Sequence, residues 1–378
     1  MDDDRLSGLQ DDLIYKILSF VGIKDAIGSS VLSPKWRFMW TFIPNLSFSS
    51  DDFSTIDRFS DFVTQVLSRR NNQAQLSCVN FYIHGNDGHD FAQRILNHAL
   101  SLNVQQVNLT CLFMMEVGLH LSISASHRTL KHLTLNSSIS HDHITLTSTR
   151  ELSFLTTLHL SHITLYDSFI SMCPNLKNLT LIWCKMMGSN ELRICHPRLS
   201  NLTLYKLNMF TESVNIVTPQ LENLNIRKLN GTHIISAPKL VSLLIRGYCP
   251  LMFSPHGFHS LEKAQLSFQC FYLSQAPKIV SLLEKLHNVK VLSLCVDIIK
   301  LLNCSVELMS HQPSPFLNLK SLKILPKVRC WWDHEHTRVI MSTEVKNYLL
   351  SSSPEATITE VLREQCCDII AGADLLSI

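Results

Sequence analysis

Two arginines stand at matching places after a repeated octet. Arg227 follows Leu221-Glu222-Asn223-Leu224-Asn225-Ile226, and Arg246 follows Leu240-Val241-Ser242-Leu243-Leu244-Ile245. If each octet is a strand of one parallel sheet, neighbouring strands lie about 5 Å apart and the two guanidiniums fall side by side. Tyr205 closes the preceding unit, and Lys263 follows one unit later. Cations grouped in this way bind carboxylate or phosphate through charge-assisted hydrogen bonds. The expectation is that Tyr205, Arg227, Arg246 and Lys263 form a patch for an acidic or phosphorylated segment of a target protein. A solvated repeat face is the competing reading of the same residues.

Bond-making chemistry finds no comparable foothold. The chain has no GxSxG, HExxH, GxxxxGK[ST] or GxGxxG pattern. Ser, His and Asp are abundant enough to assemble any imagined triad, so their presence identifies none. His141/His143 and His334/His336 lack companion ligands at recognisable spacing, and none of the 12 cysteines forms a CxxC pair. No metal, no other cofactor and no catalytic residue is therefore expected.

The elements that position the arginines are repeats. Pro174, Pro197, Pro219 and Pro238 each open a P-x-L-x-x-L-x-[LI] octet, at intervals of 23, 22 and 19 residues. A loosened L-x-x-L-x-L skeleton begins at Leu76, Val104, Leu130 and Leu155 upstream, and at Leu261, Val289 and Leu319 downstream, with Ala264 weakening the first of these. A period of about 20–30 residues is that of leucine-rich repeats. Each unit supplies one short strand with inward leucines, and stacking them builds a parallel sheet over a continuous core. Alternation then turns Asn178, Thr180, Asn201, Thr203, Asn223 and Asn225 to the concave face, which is neutral and hydrogen-bonding over most of its length. The expected fold is an α/β solenoid: a three-helix N-terminal module followed by an irregular leucine-rich-repeat solenoid of parallel strands.

The composition fits that picture. Of 378 residues, 46% are hydrophobic, enough for a large core, and only 17% are charged against a usual ~25%. The 33 basic and 31 acidic residues leave a formal charge of +2. This is too balanced to make nucleic acid or a membrane surface the default partner. No apolar run approaches the ~18 residues of a membrane span. The opening Met1-Asp2-Asp3-Asp4-Arg5 does not make a secretory or mitochondrial signal. The cysteines accordingly read as reduced, mostly buried thiols of a cytoplasmic or nuclear protein.

Residues 9–46 read as a helical module. Asp11 and Asp12 suit a helix N-terminus, and Leu13, Ile14, Ile17, Leu18 and Val21 recur at helical spacing. A second helix is expected from Lys24 to Leu32. A third starts at Ser33-Pro34 and puts Trp36, Met39 and Trp40 on one face. So small a unit buries too little surface to stand alone, and its surplus apolar area needs a partner.

The segment Leu9-Gln10-Asp11-Asp12-Leu13-Ile14-Tyr15-Lys16-Ile17-Leu18-Ser19-Phe20-Val21, with Lys24-Asp25-Ala26 and Ser30-Val31-Leu32-Ser33-Pro34-Lys35-Trp36-Arg37-Phe38-Met39-Trp40 after it, resembles an F-box. With Ile43-Pro44-Asn45-Leu46-Ser47-Phe48 it is similar to plant F-box proteins that carry leucine-rich repeats. The resemblance implies a non-catalytic, substrate-recognition subunit of an SCF-type, cullin-based ubiquitin ligase. The F-box would dock on the SCF adaptor, with the cullin engaged indirectly, and the repeats would bind a target protein for ubiquitination. It further implies that Leu9, Gln10, Leu13, Ile17, Leu18, Val31, Leu32, Trp36 and Trp40 form the F-box core and adaptor face. Gln10 departs from the family, which usually has proline there. A repeat scaffold or small-molecule receptor outside any ligase is the alternative.

Phe59, Phe62, Val63, Val66 and Leu67 predict a linker helix that caps the first repeat, and Phe91, Ile95, Leu96 and Ala99 predict another. Leu319–Ile324 is expected to be the last repeat strand, with Trp331-Trp332 and a helix over 343–350 as a terminal cap. The resulting division is 1–48 F-box, 49–75 linker helix, 76–326 repeats, and 327–378 cap and tail.

Overall fold

The computed structural model describes residues 8–361 except 72, 86–88, 113–118, 124–128, 138–143, 167, 188–190, 208–212, 230, 249–257, 270–271, 311 and 327–339. His141, His143, Trp331, Trp332, His334, His336, the adjacent Cys366 and Cys367, and the tail expected after Ala371 lie outside the described residues. The chain divides into two compact units, 1–187 and 188–378.

The first unit opens with helix α1 (Asp11–Leu18) and helix α2 (Ile23–Gly28), followed by 3-10 turns at Ser29–Val31 and Trp36–Phe42. The third helix is thus a 3-10 helix rather than the α-helix that the Trp36/Met39/Trp40 spacing predicts. The tighter winding still buries all three of these side chains, beside Ile14, Leu18, Ile23 and Ala26.

The chain then enters a parallel sheet earlier than the leucine skeleton suggests. Strand β1 (Asn45–Ser49) precedes helix α3 (Ile56–Arg69), and β2 (Cys78–His84) pairs with β1 in parallel. Helix α3 is a crossover between two strands as well as the expected amphipathic element. The Thr55 hydroxyl caps it by accepting from the Arg58 N–H at 3.3 Å, and its Phe59, Val63, Val66 and Leu67 are buried. Phe48 stacks on Phe81 with ring centroids 5.4 Å apart, which locks β1 to β2. The buried Arg70 guanidinium donates to the carbonyls of Ile43 and Ala74, tying the end of the helical module to the start of the sheet.

Helix α4 (His89–Ser101), β3 (Gln106–Leu112), β4 (His120–Ile123), β5 (His132–Ser137), β6 (Ile144–Ser148), β7 (Thr157–Ser161), β8 (Ile163–Tyr166), the single-turn α5 (Ser168–Ser171), β9 (Asn178–Ile182) and β10 (Lys185–Met187) complete this unit. Its main sheet runs β1-β2-β3-β5-β7-β9. Leu46, Val79, Val107, Leu133, Leu158 and Leu179 form one in-register inward row. A second parallel sheet, β10-β8-β6-β4, buries Leu121, Leu146 and Leu165.

The second unit contains β11 (Glu191–Cys195), β12 (Asn201–Tyr205), β13 (Ser213–Val217), β14 (Asn223–Arg227), β15 (Thr232–Ser236), β16 (Ser242–Tyr248), β17 (Lys263–Gln269), α6 (Ala276–Lys285), β18 (Val291–Cys295), α7 (Val296–Asn303), β19 (Ser321–Leu325), α8 (Thr343–Leu350) and β20 (Thr357–Glu360). Its main sheet is β12-β14-β16-β17-β18-β19-β20, all parallel, and β11-β13-β15 form a second sheet. The inward row runs Leu202, Leu224, Leu243, Ala264, Leu292 and Leu322, and Ile358 of the edge strand β20 continues its register but is exposed. Ala264 therefore occupies a true leucine position. The sheet does not end at Leu319–Ile324, because after α8, capped by the Ser342 hydroxyl, the chain returns and adds β20. The architecture is an F-box-like helical module followed by repeat strands in leucine-rich-repeat fashion. No described helix is long and apolar enough to cross a membrane.

Candidate functional site

Helix α1 shows two faces. Ile14 and Leu18 turn inward with Trp36, Met39 and Trp40, while Leu13 and Ile17, one residue away in each case, are 48% and 42% exposed. Val31, at 88%, and Leu32 are also exposed on the 3-10 turn and just beyond it. Among the residues expected to meet an adaptor, Leu13, Ile17, Val31 and Leu32 are thus accessible. Leu18, Trp36 and Trp40 are not, because their side chains form the module's own core. Phe20, Val21 and Phe38 join the exposed apolar set, and neighbouring residues in the sequence gave no means of separating them from the core. Such a concentration of apolar surface on so small a module marks an interaction face.

Leu9 is half-buried, and its carbonyl accepts from Lys35 Nζ, which also pairs with Asp11 at 3.1 Å. Gln10 is exposed at the N-cap of α1, where its carbonyl accepts the N–H groups of Leu13 and Ile14 at 3.0 and 3.1 Å. Its φ of −67° is the value a proline ring imposes. Glutamine therefore holds the backbone in the conformation that proline would fix.

The second candidate lies at the carboxyl ends of β12, β14 and β16. Tyr205, Arg227 and Arg246 are direct in-register neighbours. Lys263 does not join them. It begins β17 opposite Ser242, so it stands four residues from the Arg246 level, roughly 13 Å along the strands. Ser267 is the partner of Arg246. Lys263 sits instead next to the ion pair of Glu262 and Lys290, whose charges are 2.5 Å apart.

Two lysines take its place. Lys206 and Lys228 immediately follow β12 and β14 and adopt left-handed backbone angles, φ +45° and +52°. Their N–H groups donate to the carbonyls of Arg227 and Arg246 at 2.9 and 2.7 Å, so the ladder continues through them. The left-handed step is a repeat feature, since His162 and Trp183 adopt it after β7 and β9. Lys228 Nζ donates to Tyr205 Oη at 3.2 Å and lies 5.4 Å from the ring centroid, a cation–π contact. Arg227 Nε donates to Asn225 Oδ1 at 3.1 Å. Burial, and then the charge of Lys228, hold the Lys206 ammonium below its ordinary pKa. Beside this cluster the same strand faces form an open trough of about 280 Å³, lined by Asn201, Thr203, Asn223, Asn225, Ser242 and Leu244.

The F-box domain model matches residues 6–47, the segment that carries the exposed apolar face. An F-box/LRR-repeat protein of Arabidopsis thaliana is 29% identical over 267 residues, covering 65% of this chain and 83% of the relative. The chain carries an F-box domain and is similar to plant F-box/leucine-rich-repeat proteins. A second Arabidopsis thaliana F-box/LRR-repeat protein is 28% identical over 322 residues, 79% of this chain and 60% of the relative. An FBD-associated F-box protein of the same plant is 26% identical over 305 residues, 77% of this chain and 67% of the relative. The helical module presents an apolar surface, and the carboxyl ends of β12, β14 and β16 present a basic one.

Proposed function

We propose that this chain is the substrate-recognition subunit of an SCF-type, cullin-based ubiquitin ligase. The F-box, residues 1–48, docks on the SCF adaptor, the segment 49–75 links it to the repeats, and the repeats over 76–326 capture a target protein. The chain transfers no ubiquitin itself. It supplies proximity and selection, and a conjugating enzyme carried by the cullin assembly supplies the chemistry. The observation that carries this reading is the solvent-facing set Leu13, Ile17, Val31 and Leu32 within the F-box match. Burying these side chains against a second polypeptide is favourable by about 25 cal/mol for each Å² of apolar surface removed from water.

The test is co-expression of the full chain with the SCF adaptor, beside a Leu13→Asp/Ile17→Asp variant. Both positions are partly exposed, so the variant retains the module's core. Co-purification of the unaltered chain and loss with the variant is the expected result. Failure of the unaltered chain to retain the adaptor would remove the ligase reading.

A further inference from the structure

The three strands β12, β14 and β16 contain no acidic residue, and their carboxyl ends gather Lys206, Arg227, Lys228 and Arg246 around Tyr205. The register fixes this grouping, since Arg227 and Arg246 are paired strand neighbours and Lys228 is bonded to both the Arg246 carbonyl and the Tyr205 hydroxyl. Four like charges on adjacent strands repel one another, and a bound anion of more than one charge relieves that repulsion. The lowered Lys206 pKa has this repulsion as one of its causes.

From the cation cluster and the trough next to it, we propose that this face binds an extended protein segment bearing a phosphorylated side chain. A phosphate monoester carries about −1.5 to −2 charges and three acceptor oxygens, which suits two neighbouring guanidiniums flanked by ammonium groups better than a single carboxylate does. The trough supplies the rest of the recognition. Its asparagine side chains offer the same donor and acceptor pair as a peptide group, so they can bond an extended backbone without selecting its side chains. Asn223 donates to Asn201 at 2.6 Å and Asn225 accepts from Arg227, so the amides are already oriented by the ladder. Specificity then rests on the phosphate, read at one end of the trough.

This inference rests on the reading of the repeats as the substrate-capturing part. It is tested with the full chain bound to the adaptor. The probes are a degenerate peptide pool with one fixed phosphoserine, the same pool with serine, and pyrophosphate. The phosphoserine pool should be retained about tenfold or more over the serine pool, the range for charge-assisted hydrogen bonds. Arg227→Gln/Arg246→Gln should abolish that preference, the exposed Lys228→Gln should weaken it, and Lys263→Gln should leave it intact. A thermal melt and adaptor co-purification of each variant confirm that it is folded. Equal retention of both pools would overturn the inference, as would a preference that survives in the Arg227→Gln/Arg246→Gln and Lys228→Gln variants. Binding of pyrophosphate with no preference among the peptides would also overturn it, in favour of a free polyphosphate site. Adaptor capture is read separately through the F-box, so its loss would strike the ligase reading and not the phosphate site.

Discussion

Gly247 gives the sharpest test of how the basic strands are held. It follows Arg246 in β16 with φ +130°, a region that side-chain-bearing residues rarely adopt. A Cβ placed there would lie 2.9 Å from both Cα and N of Lys228. Those are backbone atoms of the neighbouring repeat and cannot rotate away. Gly247→Ala should therefore incur about 1–3 kcal/mol of backbone strain. It should add about 1–3 kcal/mol of overpacking against the Lys228 backbone. At about 2–4 °C per kcal/mol for a unit of this size, the melting temperature should fall by roughly 10 °C. Gly28 is the control. It ends α2 at φ −56° with nothing within 4 Å of an added Cβ. Gly28→Ala should therefore stabilise by about 0.4–1 kcal/mol. Scanning calorimetry on the full chain distinguishes the two. A Gly247→Ala melt within a degree or two of the unaltered protein would refute the close approach of β16 to Lys228.

Other outcomes follow from the same geometry. Gln10→Pro, at a φ of −67°, should leave α1 intact and stabilise the chain by about 0.4–1 kcal/mol, because proline restricts the unfolded state; a destabilised melt would contradict the backbone assignment. Burial holds the His159 pKa below its ordinary value, and its Nε2 is buried with no hydrogen-bond partner among the described residues. The unfolded chain therefore takes up the proton first. The stability contributed by neutral His159 is present above about pH 6.5 and is lost as pH falls through the lower folded-state pKa. His159→Gln should flatten that part of the pH–stability profile measured by denaturant titration, and an unchanged slope would contradict it.

Much of the fold was legible because one interaction repeats. Each L-x-x-L-x-L unit places a leucine in the same inward row, so even Ala264 could be assigned a leucine position from its neighbours. Elements without that signal were not legible. Strand β1 hides within the F-box sequence, where Leu46 and Phe48 look like the close of a helical module. Strands such as β6 and β15 lie between the octets and carry no proline or leucine skeleton. Strand β20 follows Pro354 and a helix, where a terminal cap was the simpler expectation.

The sites divide in the same way. Arg227 and Arg246 were legible because register alone makes them neighbours. Lys263 was misplaced because it precedes its inward residue instead of closing the strand, a four-residue difference that counting repeats does not reveal. Lys206 and Lys228 went unnoticed because strand alternation does not describe a left-handed residue one step past the strand. In the F-box, Leu13 and Ile14 are adjacent and chemically alike, and only packing against Trp36 and Trp40 decides which one faces water.

Val31 provides the most direct measurement of the central claim, since it is 88% exposed and contributes almost nothing to the module's own core. Val31→Asp should shift stability by no more than about 0.5 kcal/mol, as exposed substitutions do. Calorimetric titration of the full chain with the SCF adaptor should nevertheless show affinity weakened by about tenfold or more, the range for charging the centre of an apolar interface. Equal affinity of the unaltered and Val31→Asp proteins, both folded, would contradict the assignment of this face to the adaptor.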